Sequence, residues 1–218
     1  MILLGKSINF LGDSITEGVG ASSPDKCYVE VLRKTYGLAA ARNYGLGGTR
    51  ITPQSQPSDD PQWDRDFCGR YDSMDDNADI VVVFGGTNDF GHGFAPFGAV
   101  GDTTPATFCG ACDYLYKHLK AKYPQAKIIV VTPTHRSNEN EPRGDGYKPA
   151  GPLLAEYVSA ILQIAAANDL SVLDLFNKHP SCTSGTLLPE FFPDGLHPND
   201  IGHAILAELV GEFLQNLT

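Results

Sequence analysis

The run Asp79-Ile-Val-Val-Val-Phe-Gly-Gly constrains the fold more than any other stretch of the chain. It is continuous, apolar and β-branched, so it reads as a strand covered on both faces, and strands of that kind belong to parallel sheets. Comparable runs recur. Residues 7–12 form a first strand, and residues 41–46 (Ala-Arg-Asn-Tyr-Gly-Leu) a weaker second. Lys127-Ile-Ile-Val-Val-Thr-Pro is a fourth, closed by Pro133, and Ser171-Val-Leu-Asp-Leu-Phe a fifth. Between them lie amphipathic patterns that predict helices over residues 25–37, 104–122, 150–168 and 199–216. Asn199 or Asp200 can cap the last of these. Strands alternating with helices predict one doubly wound α/β/α domain over residues 1–218.

Composition narrows the partners. Sixteen basic residues stand against 26 acidic ones, for a net charge of −10. Phosphate binding needs a basic face, so nucleic acid is excluded as a partner, and an anionic membrane surface is disfavoured. No apolar run reaches the roughly 18 residues of a membrane-spanning helix, so no integral membrane association is expected. Met1-Ile-Leu-Leu is too short for a secretion signal, and the first strand begins almost at once, so a cytoplasmic protein is expected. The five cysteines, Cys27, Cys68, Cys109, Cys112 and Cys182, are odd in number and irregular in spacing, which argues against a disulfide framework. Cys109 and Cys112 have redox spacing but fall inside a predicted helix, where they read as small buried groups. Nothing in the sequence speaks to oligomeric state.

Three strand ends carry chemistry. The first runs into Gly12-Asp13-Ser14-Ile15-Thr16-Glu17-Gly18, which places a serine just past the C-terminal end of a strand, where open α/β sheets bind ligands. The second ends in Gly45-Leu46-Gly47-Gly48-Thr49 and the third in Gly85-Gly86-Thr87-Asn88-Asp89. Glycine N–H groups and an asparagine amide are the parts of an oxyanion hole. Near the C-terminus, Asp194-Gly195-Leu196-His197-Pro198 sets a carboxylate and an imidazole three residues apart. One short turn can put both on the same side, as a base and its orienting group require. Each element alone is more often turn or cap chemistry.

Taken together, the blocks Gly12-Asp13-Ser14, Gly48 after Asn43, Gly86-Thr87-Asn88-Asp89 and Asp194-Gly195-Leu196-His197-Pro198 resemble the SGNH hydrolases, also called GDSL esterases and lipases. The four stand in the family's order and span nearly the whole chain. The resemblance implies a flavodoxin-like three-layer sandwich of about five parallel strands. It also implies a serine esterase with no metal or organic cofactor and a small-molecule ester as substrate. By matching position, Ser14 is the nucleophile and His197 the general base oriented by Asp194. Ser14 N–H, Gly48 N–H and the Asn88 amide form the oxyanion hole, with Gly47 the alternative to Gly48. The opening block reads Gly-Asp-Ser-Ile, and Ile15 is expected to point into the core. Asp13 is expected to hold its loop by hydrogen bonds.

Other readings are weaker. A flavodoxin-like FMN site would set Asp13 and Glu17 against the phosphate and leave Asp194 and His197 unexplained. The α/β-hydrolase fold would need Gly-x-Ser-x-Gly in mid-chain. An aspartyl phosphatase would need Asp-x-Asp, which the loop lacks. Within the family, the polar excursions Thr52–Asn77 and His135–Gly151 favour small acyl esters or O-acetylated carbohydrates, with lysophospholipids or thioesters second. Trp63, Tyr71 and Tyr147 lie in these excursions, where Trp63 can stack on a sugar or fill the core. His118 and His203 (helices) and His92 and His179 (loops) read as structural. His135 could line the pocket, and Arg136 or Arg143 could meet a polar substrate.

Overall fold

The computed structural model describes residues 1–178 and 189–217; His179 and Cys182 lie outside the described residues. Five strands, β1 (Ser7–Gly12), β2 (Ala40–Gly45), β3 (Ile80–Phe84), β4 (Lys127–Val131) and β5 (Ser171–Leu173), form one sheet. Their order is β2-β1-β3-β4-β5 and every neighbouring pair is parallel. That is the flavodoxin-like order, in which the chain switches direction of growth between β1 and β3. Among the described residues the α-helices are α1 (Ser14–Glu17), α2 (Tyr28–Tyr36), α3 (Phe67–Arg70), α4 (Thr87–His92), α5 (Phe108–Lys122), α6 (Leu154–Ala167), α7 (Leu175–Lys178) and α8 (Asp200–Gln215).

Strand β3 shows why the sheet has helices on both faces. Val81 and Val83 join the core under α5 and α6, with Leu11, Val130, Leu115 and Ile161. Ile80, Val82 and Phe84 point the other way, into the core under α2 and α8, with Phe10, Ile129, Leu32 and Leu206. The two-residue period of a strand therefore feeds two cores from one apolar run.

Several boundaries differ from the sequence expectation, each for a local reason. Helix α5 starts at Phe108, not 104, because the Thr107 hydroxyl takes the Gly110 N–H at 3.1 Å and caps it there. Helix α6 starts at Leu154, where the Glu156 carboxylate takes the Leu153 N–H at 2.8 Å. Strand β5 stops at Leu173 because the Asp174 carboxylate accepts from Asn177 N and Nδ2, at 3.2 and 2.7 Å, and turns the chain into α7. The excursion Thr52–Asn77 is not structureless: it holds 3-10 turns at Pro61–Asp64 and Tyr71–Ser73 with α3 between them. Cys109 and Cys112 are buried on α5, and they, Cys27 and Cys68 are free thiols. No helix among the described residues is long and apolar enough to cross a membrane.

Candidate active site

The tip of β1 is built by its own sequence. Asp13 is extended and its Oδ1 takes the Ile15 N–H at 3.0 Å, which starts α1 one residue later. Gly18, with φ +107°, stops the helix after one turn and returns its N–H to Ser14 O at 3.0 Å. Ile15 lies in the core, so Ser14 is carried to the other side of the turn, almost buried at 7 % exposure. The tip of β2 lies directly against this turn: a Cβ on Gly45 would stand 2.0 Å from Glu17 N, so only glycine lets the two meet. Burial pushes the Asp13 carboxyl up to about 6, while the Ile15 N–H and the charges of His197 and Arg70 pull it down.

The imidazole that meets Ser14 comes from 183 residues away. Three contacts seat the start of α8 against the loop after Ser14. The Asp200 carboxylate accepts from Ser22 N and Oγ, both at 2.7 Å. Tyr28 N donates to His203 Nδ1, so His203 Nε2–H donates to Val19 O, both at 3.3 Å. Asn199 Oδ1 caps α8 by accepting from Ile201 N and Gly202 N. The turn before α8 then holds its own pair. Asp194 Oδ1 accepts from Leu196 N at 2.9 Å and His197 N at 2.7 Å, and its Oδ2 lies 2.6 Å from His197 Nδ1. Burial raises the Asp194 carboxyl, but these bonds outweigh it and hold it below the usual carboxylate range. An ionised Asp194 can only accept, so His197 Nδ1 carries the proton and Nε2 is free to accept. Ser14 Oγ stands 2.9 Å from that Nε2. A hydroxyl so placed can pass its proton to the imidazole as it attacks an electrophile.

Strands β2 and β3 bring donors to the same place. Gly47 is already spent: its N–H goes to Glu17 Oε2 at 2.8 Å and its carbonyl takes Gln62 Nε2 at 3.2 Å. Gly48 has φ +74°, and its N–H, like that of Ser14, meets no acceptor among the described residues. A Cβ there would stand 2.0 Å from the Trp63 ring, so the indole closes over a glycine that no other residue could replace. Asn88 Nδ2 gives one hydrogen to Thr49 O at 3.1 Å, which orients the amide and leaves its second hydrogen unspent. Next to it, the buried Asp89 carboxylate takes the N–H groups of Ile51 and Thr52, at 2.9 and 3.1 Å, and ties the β2 tip to α4.

These groups border one cleft of about 300 Å³, lined by Ser14, Gly48, Asn88 and His197 together with Val19, Trp63, His92, Asp145, Tyr147 and Leu196. Asp194 stands behind His197. The last group corrects the sequence reading. His92 is not a loop histidine outside the site: it ends α4 and forms a wall of the cleft. A helix places residues four apart on one side, so Asn88 and His92 share a face. That spacing had no meaning until Thr87–His92 was seen to be helical. His135, by contrast, stays away from the cleft. Its Nδ1 pairs with Glu139 and its ring stacks on Phe176. Arg136 is buried in an ion pair with Asp145, and Arg143 is exposed outside the cleft. Tyr71 packs edge-on against His118, also away from it.

A five-stranded parallel sheet in this order, with a serine, an imidazole and unspent N–H donors at its C-terminal edge, defines an α/β protein of the flavodoxin-like class. The chain belongs to the GDSL-like lipase/acylhydrolase family, whose model matches residues 10–205. Membership makes it a hydrolase of the esterase and lipase type. Similar solved structures include a Lactobacillus plantarum protein, 26 % identical with a TM-score of 0.79, the match covering 99 % of each chain. A possible lipase from Chitinophaga pinensis is 22 % identical with a TM-score of 0.69, over 96 % of this chain and 98 % of that one. A two-domain esterase active on acetylated mannans is 22 % identical with a TM-score of 0.63, over 97 % of this chain and 48 % of that one. No curated protein gives a significant match.

Proposed function

We propose that the protein is a serine esterase that cleaves small acyl esters or O-acetylated carbohydrates through an acyl-enzyme on Ser14. The observation that carries the reading is the unbroken line Asp194 Oδ2, His197 Nδ1, His197 Nε2, Ser14 Oγ, with steps of 2.6 and 2.9 Å across the two gaps. His197 takes the Ser14 proton while Oγ bonds to the ester carbonyl carbon. The oxyanion formed rests on Ser14 N–H, Gly48 N–H and the free hydrogen of Asn88 Nδ2. Each such donor contributes about 3–4 kcal/mol in comparable sites. The tetrahedral adduct collapses, the alcohol leaves with the proton held by His197, and the acyl group stays on Ser14. Water then repeats the addition with His197 as base, which frees the acid and restores the serine.

Gly48 is preferred to Gly47 as the second donor because the Gly47 N–H is committed to Glu17. A cleft of about 300 Å³ sits at the small end of ligand sites, generally about 300–1,000 Å³. That supports short acyl groups over long chains. The fold houses ester chemistry on sugars elsewhere, in the esterase active on acetylated mannans. Among the described residues, the four free, buried thiols suit a reducing compartment, in line with a cytoplasmic location.

Hydrolysis of 4-nitrophenyl acetate, butyrate, octanoate and palmitate by wild type and Ser14→Ala tests the reading. The expected result is activity that falls with chain length and drops at least about 10³-fold in kcat in Ser14→Ala and in His197→Ala. Equal activity in wild type and Ser14→Ala, or a preference for palmitate, would contradict it.

A further inference from the structure

Beyond the catalytic cleft lies a second hollow of about 220 Å³ that shares Trp63, His92 and Tyr147 with it and continues to Arg50, Gln56, Ser58 and Asp59. The two are thus halves of one recess divided by a ring pair, since the Trp63 and His92 centroids are 4.6 Å apart. The way His92 is held decides what it can do. Arg50 is wholly buried, and its Nη1 donates to His92 Nδ1 at 2.8 Å. A guanidinium has no acceptor, so Nδ1 must be the bare nitrogen and the proton must sit on Nε2. Burial and the charges of Arg50, Arg136 and Lys148 push the imidazole down to about 3; Asp59 and Asp145 are the acidic residues that line the two halves of the recess beside it. The ring is therefore neutral at working pH. Its Nε2–H has no acceptor among the described residues, on a side chain that borders both halves of the recess.

We propose that His92 is a specificity-determining residue: its Nε2–H donates to an oxygen of a neutral, polyhydroxylated leaving alcohol, a sugar ring, which occupies the second hollow against the face of Trp63. This rests on the esterase reading above and deepens it. The lining excludes the other two chemical classes. An apolar chain would take Gln56, Asp59 and the His92 Nε2–H out of water without partners. An anion would find Arg50 already matched, since Nη2 donates to Asp64 at 2.9 Å and to Ser58, and it would lie beside Asp59 and Asp64. Hydroxyls both donate and accept, so a sugar can satisfy Gln56, Asp59 and His92 together.

The test compares 6-O-acetylglucose with cyclohexylmethyl acetate, which has a similar ring and no hydroxyls. Wild type is expected to favour the sugar ester in kcat/KM by about ten-fold or more, the weight of one hydrogen bond. His92→Phe is expected to lose that preference through KM, and His92→Gln, which keeps a neutral donor, to regain part of it. No preference in wild type, or a full preference in His92→Phe, overturns the proposal. Should either variant not fold, the imidazole ¹⁵N spectrum of the Ser14→Ala protein carries the test. Methyl glucoside is expected to shift the His92 Nε2–H signal, and cyclohexylmethanol is not. Absence of that shift overturns the proposal whatever the catalytic result. A shift without Ser14-dependent hydrolysis of 4-nitrophenyl acetate keeps the subsite as a sugar site and overturns the esterase reading and the leaving-alcohol role.

Discussion

Residues 52–77 are pinned by Arg50 and residues 135–151 by Arg136, and the two buried arginines grip opposite ends of the same short helix. Arg50 donates to His92 at the end of α4 and pairs with Asp64 in the first excursion. Arg136 donates to Thr87 at its start, lies over the Phe90 ring and pairs with Asp145 in the second. The pairs differ in how fully the guanidinium is hydrogen-bonded. The Arg50 side chain is 0 % exposed, and its Nε has no partner, so its charge depends on Asp89, Asp64 and the polar groups around it. Arg136 is 4 % exposed and its Nε donates to Ser137 O at 3.2 Å, while Asp145 lines the cleft. The first excursion sends Phe67, Cys68 and Met74 into the core and brings in Trp63 as a wall of the cleft. The second is a cover laid over α4, held also by Lys148 above the rings of Phe90 and Tyr157. A buried charge without its partner is among the costliest defects a fold can carry, so each arginine fixes the placement of the loop that supplies its acid.

That difference can be broken in measurable steps. Asp64→Asn removes the hydrogen-bonded carboxylate from a fully buried guanidinium, leaving Asp89 and Asp66 as its remaining charges, and is expected to lower unfolding free energy by about 3 kcal/mol. Urea denaturation reads this, and a loss under about 1 kcal/mol would mean that Asp64 does not anchor the first excursion. The next effect concerns Asp13, whose charge is offset by Arg70 from the same excursion. Its folded pKa is raised from 3.8 to about 6, so wild-type stability is fully present below the unfolded value and is lost as pH rises through about 6. Asp13→Asn keeps a capping oxygen and does not titrate. Its stability relative to wild type is expected to rise between pH 4 and pH 7 by about 2.4 kcal/mol, at about 1.4 kcal/mol per pKa unit. A difference that stays flat with pH would place the Asp13 charge in a better-solvated site than this one. Asp145→Asn has the smallest expected cost, about 1.5–2 kcal/mol, because Arg136 keeps its bonds to Thr87 and Ser137 and has no unpartnered Nε. A cost equal to that of Asp64→Asn would erase the distinction between interior wall and cover.

The same contrast explains what could be read from the chain. The sheet was legible because its signal is local: the apolar run of β3 alternates between two cores, and β1 matches its expected residues 7–12. Asp13, Ile15 and Gly18 shape the Ser14 turn through contacts within a few residues, so that turn was legible too. The Asp194–His197 turn was readable as a pair, since three residues separate donor and acceptor. Its meeting with Ser14 was supported only by family resemblance, because it depends on Ser22, Tyr28 and Val19 receiving α8. His92 and Asp145 were missed as cleft residues. His92 is held by a hydrogen bond from Arg50 and Asp145 by its ion pair with Arg136, and no periodic pattern records which partner a buried arginine will choose. The boundaries of α5, α6 and β5 slipped by a few residues because single side chains, Thr107, Glu156 and Asp174, decided them.

The central claim is that Ser14 is an activated nucleophile. Reaction with a fluorophosphonate, followed by intact mass and peptide mapping, tests it without any assumption about the natural ester. One adduct per chain on the peptide containing Ser14 is expected in wild type, none in Ser14→Ala, and labelling slowed by at least about 10³-fold in His197→Ala. An adduct on another residue, or equal labelling of wild type and Ser14→Ala, would contradict the account.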